Sequence, residues 1–129
     1  MANSKDVQEI EEQLGRELMR LHRESYGKGA HAVRAHLLDD AVVCFMDDLE
    51  LLPNEQFLLD TGSGDAVVDV RSHYQRAIES TYRAAVERVT GRRVVGFVSA
   101  TQLSPHWAVE VFRLGPEQEW TLEEPDLGS

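Results

Sequence analysis

The sequence predicts an α+β fold with the element order α-β-β-α-α-β-β, in which a mostly antiparallel four-stranded sheet has its helices packed on one face. The first observation behind this prediction is a stripe of apolar residues at helix spacing between residues 67 and 89. The second is two pairs of short apolar segments, one pair on each side of that stripe, each divided by a short polar break. A helix with one apolar stripe needs a covering surface, and the flanking strands supply it as a sheet.

A first helix is predicted from Ser4 to Tyr26, because apolar residues recur there in steps of three or four. The sequence Gly27-Lys28-Gly29 ends it. Gly15 weakens this helix by ~1 kcal/mol relative to alanine. This glycine either admits a close approach of another backbone or is a tolerated surface residue, and the second interpretation is favoured. The predicted buried face consists of Val7, Ile10, Leu14, Leu18 and Leu21.

Two strands are predicted between His31 and Asp48. Apolar and polar residues alternate in the first, whereas the run from Ala41 to Met46 is almost continuously apolar, which is typical of a strand inside a sheet. Asp39-Asp40 is the polar break between them, so we expect a tight turn there.

A short helix and a long helix follow. Pro53 suits a first helical position and Glu55 suits the first turn, while Phe57, Leu58 and Leu59 are expected to form the buried side of the short helix. The long helix is expected to end at Gly91, where a glycine readily adopts the left-handed C-cap conformation. Its predicted buried stripe consists of Val67, Val70, Tyr74, Ile78, Tyr82, Ala85 and Val89.

A second hairpin is predicted from a strand near Arg93 to Thr101 and a last strand from Trp107 to Leu114. Residues 1–114 are therefore expected to form a single domain. Residues 115–129 contain five acidic residues and neither lysine nor arginine, which predicts a mobile acidic tail. Trp120 in that tail is either part of a partner-binding motif or a residue without specific function, the second being favoured.

The charge of the chain argues against two classes of partner. Its 129 residues have a formal net charge of -10 and a pI near 4.8, which disfavours nucleic acids and anionic membrane surfaces. No apolar run approaches the ~18 residues of a membrane span, and the first residues lack the apolar core of a signal peptide. We therefore predict a cytoplasmic protein that does not insert into a membrane.

The residues show no catalytic or metal-binding pattern. Cys44 lies between Val43 and Phe45, which favours a small buried hydrophobe over a nucleophile. His31 and His36 are five residues apart in a strand and would point to opposite faces. The carboxylates at 39–40 and 47–50 lie at opposite ends of one predicted strand, so solvated turns are favoured over a cation site. We predict no catalytic residue, no metal and no cofactor.

Six stretches of the chain match a known family in their order and spacing: Tyr26 to Gly29, Val33 to Met46, Leu51 to Leu59 around Glu55, Gly64 through Val68 to Arg71, Glu87 to Arg92, and Glu110 to Phe112. Together they resemble the bacterial MpsC-like family, formerly a domain of unknown function. The resemblance covers roughly residues 14 to 114. The chain departs from the family pattern at Ala30, Leu52, Asp65 and Ala100; Leu52 stands where a capping threonine is usual.

This resemblance implies a soluble accessory component of a sodium-translocating, membrane-potential-generating system linked to inorganic carbon uptake. It transfers no catalytic residue to this chain. The leading hypothesis is therefore a non-enzymatic interaction protein whose partner is a membrane transporter component. Apolar residues left on a sheet edge or open face further predict a homodimer.

The alternative hypothesis is a small-molecule sensor or enzyme with a pocket between the sheet and the helices. Its predicted polar candidates are Arg71, His73, Glu87 and Arg92.

Overall fold

The computed structural model describes residues 4–26 and 32–116, and it confirms the predicted α+β fold and element order. Gly27-Lys28-Gly29, His31 and the acidic segment 117–129 with Trp120 lie outside the described residues. The elements are α1 (Ser4–Tyr26), β1 (Ala32–Leu37), β2 (Ala41–Asp47), α2 (Pro53–Asp60), α3 (Gly64–Thr90), β3 (Val94–Leu103) and β4 (His106–Leu114).

The four strands form one antiparallel sheet in the order β1-β2-β4-β3. Both predicted hairpins are present, and the pairing of β2 with β4 joins them at the centre of the sheet. The helices α2 and α3 connect the two hairpins along the chain, and α3 packs against β3. The predicted tight turn after β1 is also confirmed, since the amide of Leu38 donates to the carbonyl of Ala41 at 2.7 Å.

The core lies between the inner face of the sheet and the helices α1 and α3. Residues that pair across neighbouring strands share a face, so the buried positions of β2 and β4 lie on the same side as the helices. Cys44 is fully buried there, which confirms its structural interpretation, and burial raises the pKa of its thiol. The core includes Leu14, Leu18, Leu21, Val42, Cys44, Met46, Tyr82, Ala85, Val86, Ala108, Phe112 and Leu114.

The predicted stripe of α3 is correct at Val67 and in its C-terminal half, and it is wrong at Val70 and Tyr74. Val70 and Tyr74 are 61% and 41% exposed, whereas Arg71 and Gln75 are buried. One residue along a helix is a rotation of about 100°, so the buried face passes through Val67, Arg71 and Gln75 before it reaches Tyr82. The apolar pattern fails here because polar partners on other elements stabilise the two buried side chains.

The predicted buried side of α2 is wrong at Phe57, which is 66% exposed. Glu55 is the buried residue of this helix, because it faces Arg71 on α3. Pro53 occupies the first helical position as predicted.

Helix α1 lies against the outer edge of β1. The carboxylate of Glu11 accepts the backbone N–H of Leu37 at 2.9 Å, which satisfies a donor on that edge. Gly15 faces the same strand, and a Cβ atom added there would lie 3.5 Å from the carbonyl oxygen of Val33, an ordinary contact distance.

We expect Gly15→Ala to raise the free energy of unfolding by about 1 kcal/mol, because the site has room for the methyl group and alanine favours the helix. Urea denaturation at pH 7 measures the change. Gly91→Ala is the opposite control, since Gly91 has a φ of 71° at the C-cap of α3 and alanine is strained there, so stability should fall. A loss of stability in Gly15→Ala would contradict the packing of α1 on β1.

Candidate functional site

A cavity of about 260 Å³ lies between α3 and the inner face of β3 and β4. Its walls combine apolar side chains, such as Met46 and Phe97, with an unusual number of polar ones. His22 lines it from α1, and the exposed residues Ser72 and Arg76 stand at its rim. The other polar groups that line it are Arg71, Gln75, Glu79, Ser99, Thr101 and Glu110.

Glu110 is the most deeply placed acidic residue of the cavity, with 1% of its surface exposed. It lies in the middle of β4, opposite Ser99 on β3 and Cys44 on β2. The side-chain amide of Gln75 donates to its Oε2. Its Oε1 has no hydrogen-bond partner within residues 4–26 and 32–116. Burial raises the pKa of Glu110 to about 8, so this carboxyl group is mostly protonated at neutral pH.

Arg71 and Glu55 form a buried ion pair at one end of the cavity. The guanidinium donates twice to the carboxylate, from Nε to Oε2 at 2.8 Å and from Nη2 to Oε1 at 2.7 Å. Oε1 also accepts the amide of the N-cap residue Leu52 at 2.8 Å, so Glu55, the third residue of α2, caps the start of its own helix. Although burial opposes its ionised form, the hydrogen bonds from Arg71 and Leu52 lower the pKa of Glu55. The pair therefore stays charged and holds α2 against α3.

His106 connects this pair to the sheet. Its Nδ1 lies 2.9 Å from the carbonyl oxygen of Leu49, and because a carbonyl only accepts, Nδ1 must carry the proton. Burial, followed by the positive charge of Arg71, lowers the pKa of His106. The imidazole is therefore neutral at pH 7, and it fixes the start of β4 against the chain that leads into α2.

The structure separates the four side chains that the sequence predicted as pocket candidates. Arg71 lines the cavity, whereas His73 is exposed on α3 and its Nδ1 lies 2.9 Å from the carbonyl oxygen of Asp69. Glu87 accepts the amide of Val94 at 2.8 Å, and Arg92 donates to the carbonyl of Gly115 at 2.7 Å. Glu87 and Arg92 thus join the end of α3 to the sheet, away from the cavity. That these four residues bind a ligand stays a prediction.

Sequence reasoning missed Gln75 and Glu110 as cavity residues. The sequence does contain a signal for Glu110. Every second residue of β4 points inward, namely Ala108, Glu110, Phe112 and Leu114, and Glu110 is the one acidic residue among three apolar ones. Gln75 has no comparable signal, since glutamine is common on the exposed faces of helices.

The acidic clusters noted in the sequence pair with arginines on neighbouring strands. Asp40 lies 3.0 Å from Arg113, and Asp47 lies 3.0 Å from Arg34. Across the described ranges 4–26 and 32–116, no group of three or more His, Cys, Asp or Glu residues is placed to hold a metal ion. Among these same residues, no helix has the length and apolar character needed to cross a membrane.

Comparison with known proteins gives one finding. A family model described as "Na+-translocating membrane potential-generating system (MpsC)" matches residues 6–115 of the chain. No curated protein and no solved structure matches the chain.

We expect Arg71→Met to lower the free energy of unfolding by about 3–5 kcal/mol, because it leaves the carboxylate of Glu55 buried without its counter-charge. Urea denaturation at pH 7 measures this loss. Arg113→Met is the matched control: its pair with Asp40 is exposed, so the change should stay within about 1 kcal/mol. Equal losses in the two variants would contradict a dominant role for the buried pair.

The pH dependence of stability provides a test of Glu110. A carboxyl group whose folded pKa is raised stays protonated while the unfolded chain releases its proton, so its contribution falls as the pH rises from about 4.5 to about 8. We expect Glu110→Gln to remove this decline, which is on the order of a few kcal/mol. The measurement is the difference in unfolding free energy between wild type and variant at pH 5, 6, 7 and 8. A difference that does not change with pH would show that Glu110 is already ionised.

Proposed function

The chain belongs to the MpsC family, and on that premise we propose that it is a non-enzymatic accessory protein of a Na+-translocating, membrane-potential-generating system. In this proposal it acts in the cytoplasm as a homodimer and binds a membrane component of that system. The observation that carries the proposal is the outer face of the sheet, which is apolar and lies opposite the helices.

The outer face is formed by side chains of all four strands. The register places Val43, Val111 and Val98 in one row across β2, β4 and β3, and Phe45 beside Val109 in the next. Val98 is 67% exposed. A contiguous apolar patch of this kind on a small protein marks an interaction surface.

Charged and aromatic side chains of β1, β2 and β4 lie beside the valines of this patch. The guanidinium of Arg34 lies 4.9 Å from the ring centroid of Phe45, and the rings of Phe45 and Trp107 are 6.3 Å apart. Arg34 also pairs with Asp47 at 3.0 Å. An apolar centre with aromatic residues, arginine and a polar border is the usual composition of a protein–protein interface.

Two copies related by a twofold axis would cover this patch, because an apolar face with few charges at its centre is compatible with itself. The chain as a whole has a formal net charge of -10. Cytoplasmic loops of membrane proteins are enriched in lysine and arginine. An acidic dimer is therefore complementary in charge to the cytoplasmic side of a membrane component.

We expect Val98→Glu to convert the dimer into a monomer, because it places a charge on the covered face at its most exposed valine. Size-exclusion chromatography with light scattering at micromolar concentration measures the mass. Val70→Glu is the matched control, since Val70 is exposed to a similar extent but lies on α3. A monomeric wild type, or dissociation caused by Val70→Glu alone, would be incompatible with pairing through the sheet.

The proposed role in the host has a direct test. Deletion of the gene should reduce the Na+-dependent membrane potential, measured with a potential-sensitive dye at several external Na+ concentrations. Wild type and Val70→Glu should restore it, whereas Val98→Glu should not. An unchanged potential in the deletion strain would rule out the proposed role in that system.

A further inference from the structure

The cavity beneath α3 contains a carboxyl group, that of Glu110, which forms no ion pair with the residues that the structure describes. The elements packed around Glu110 present Cys44 from β2, Ser99 from β3, Gln75 from α3 and His22 from α1. Gln75 donates to Oε2. In the part of the chain that the structure describes, no charged group is hydrogen-bonded to Glu110.

The charged groups that line the cavity are engaged or lie at its rim. The buried guanidinium of Arg71 is neutralised by Glu55. Glu79 pairs with Arg83 at 2.8 Å. Arg76 is exposed at the rim, where solvent screens its charge. A positive charge placed next to Oε1 would therefore be the first to compensate Glu110.

The cavity is larger than the volume that a single water molecule occupies. Its volume of about 260 Å³ compares with about 30 Å³ for one water in the liquid. Ser99 and Thr101 add hydroxyl groups on the same sheet face as Glu110, while Met46 and Phe97 add apolar surface. This combination of one buried acid, hydroxyl groups and an apolar wall suits a small molecule with a cationic head and a short carbon chain.

We propose that this cavity binds a small primary ammonium compound, whose N–H groups donate to Oε1 of Glu110 and to the hydroxyl groups of Ser99 and Thr101. As the ammonium enters, the carboxyl group of Glu110 releases its proton to solvent. The neutral acid is thereby replaced by an ion pair with no net charge. The O–H bond of the acid is the one bond that breaks. Charge-assisted hydrogen bonds of this kind are strong where water is excluded. The site goes beyond the accessory role, because it does not depend on the outer face of the sheet.

The proposed exchange makes binding depend on pH in a defined direction. Because burial raises the pKa of Glu110 to about 8, the carboxyl group holds its proton at pH 6 and pH 7. Ammonium binding in that range should release close to one proton, and affinity should rise about tenfold for each pH unit until it levels off above pH 8. Simple adsorption on the acidic surface would show neither effect.

The test is calorimetric titration of the full chain with n-propylammonium chloride at pH 6, 7 and 8, in phosphate and in MOPS, neither of which contains a primary ammonium group. A heat that depends on the buffer would report the released proton. Propan-1-ol and NaCl are the comparison probes, the first without a charge and the second without N–H donors. Equal binding of propan-1-ol, or equal competition by Na+, would overturn the assignment to an ammonium compound.

Two variants separate the cavity from the surface. Glu110→Gln should weaken binding at least about tenfold and abolish proton release, because glutamine keeps the shape of the protonated acid and cannot ionise. Glu79→Gln removes an acid at the edge of the same cavity and should bind within about threefold of wild type. Equal losses in both variants would overturn the proposed role of Glu110.

A measurement on the wild-type chain keeps the test independent of how Glu110→Gln folds. In ¹⁵N-resolved spectra, n-propylammonium should shift the side-chain amide of Gln75 and the backbone amide of Ser99 more than that of His73 on the exposed side of α3. No selective shift at Gln75 and Ser99 up to 100-fold molar excess would overturn the proposal.

Discussion

Two polar side chains on the buried face of α3 are the constraint on which the rest of the structure depends. A buried guanidinium or amide without partners costs more than the apolar contacts around it can repay, so Arg71 and Gln75 each require an acceptor. Glu55 supplies one from α2 and Glu110 supplies the other from β4. These two contacts fix the short helix and the sheet relative to the long helix, and they leave the polar cavity between them.

In a sheet with helices on one side, the face under the helices is usually apolar and the opposite face is usually polar. The two faces of this sheet depart from that pattern. Its inner face is partly polar, because Ser99, Thr101 and Glu110 interrupt the apolar core. Its outer face, which lies opposite the helices, contains Val98, Val111 and Trp107. The fold therefore places the chemistry suited to a small ligand inside the subunit and the surface suited to a macromolecule outside it.

The sequence was sufficient to predict features that depend on local periodicity. The bounds of α1, both hairpins and the end of α3 at Gly91 follow from spacing and turn residues, and the structure confirms them. Periodicity failed where a distant partner decides which side of a helix is buried. Periodicity favoured Val70 over Arg71 as a core residue, because the acceptor of Arg71, Glu55, lies 16 positions earlier in the chain and cannot be inferred from the helix itself.

The cavity was unpredictable for the same reason, since Gln75 and Glu110 are 35 positions apart. The resemblance to the MpsC-like family nevertheless included Glu55, Arg71 and Glu110 in its matching stretches. Three of the four residues that make the long-range polar contacts were thus part of the sequence likeness, whereas Gln75 and the geometry of the contacts were not.

The contact between Glu11 and the amide of Leu37 has a consequence for how copies of the chain can associate. A sheet grows into a fibre only if each subunit offers two open edges, one to receive a strand and one to extend it. Here α1 lies along the β1 edge, where Glu11 accepts the amide of Leu37 and Gly15 faces the carbonyl of Val33. In the described part of the chain this packing obstructs strand addition at the β1 edge and leaves the β3 edge. When two copies pair through this edge, neither has a free edge left for a third copy. The fold thereby limits open-ended polymerisation.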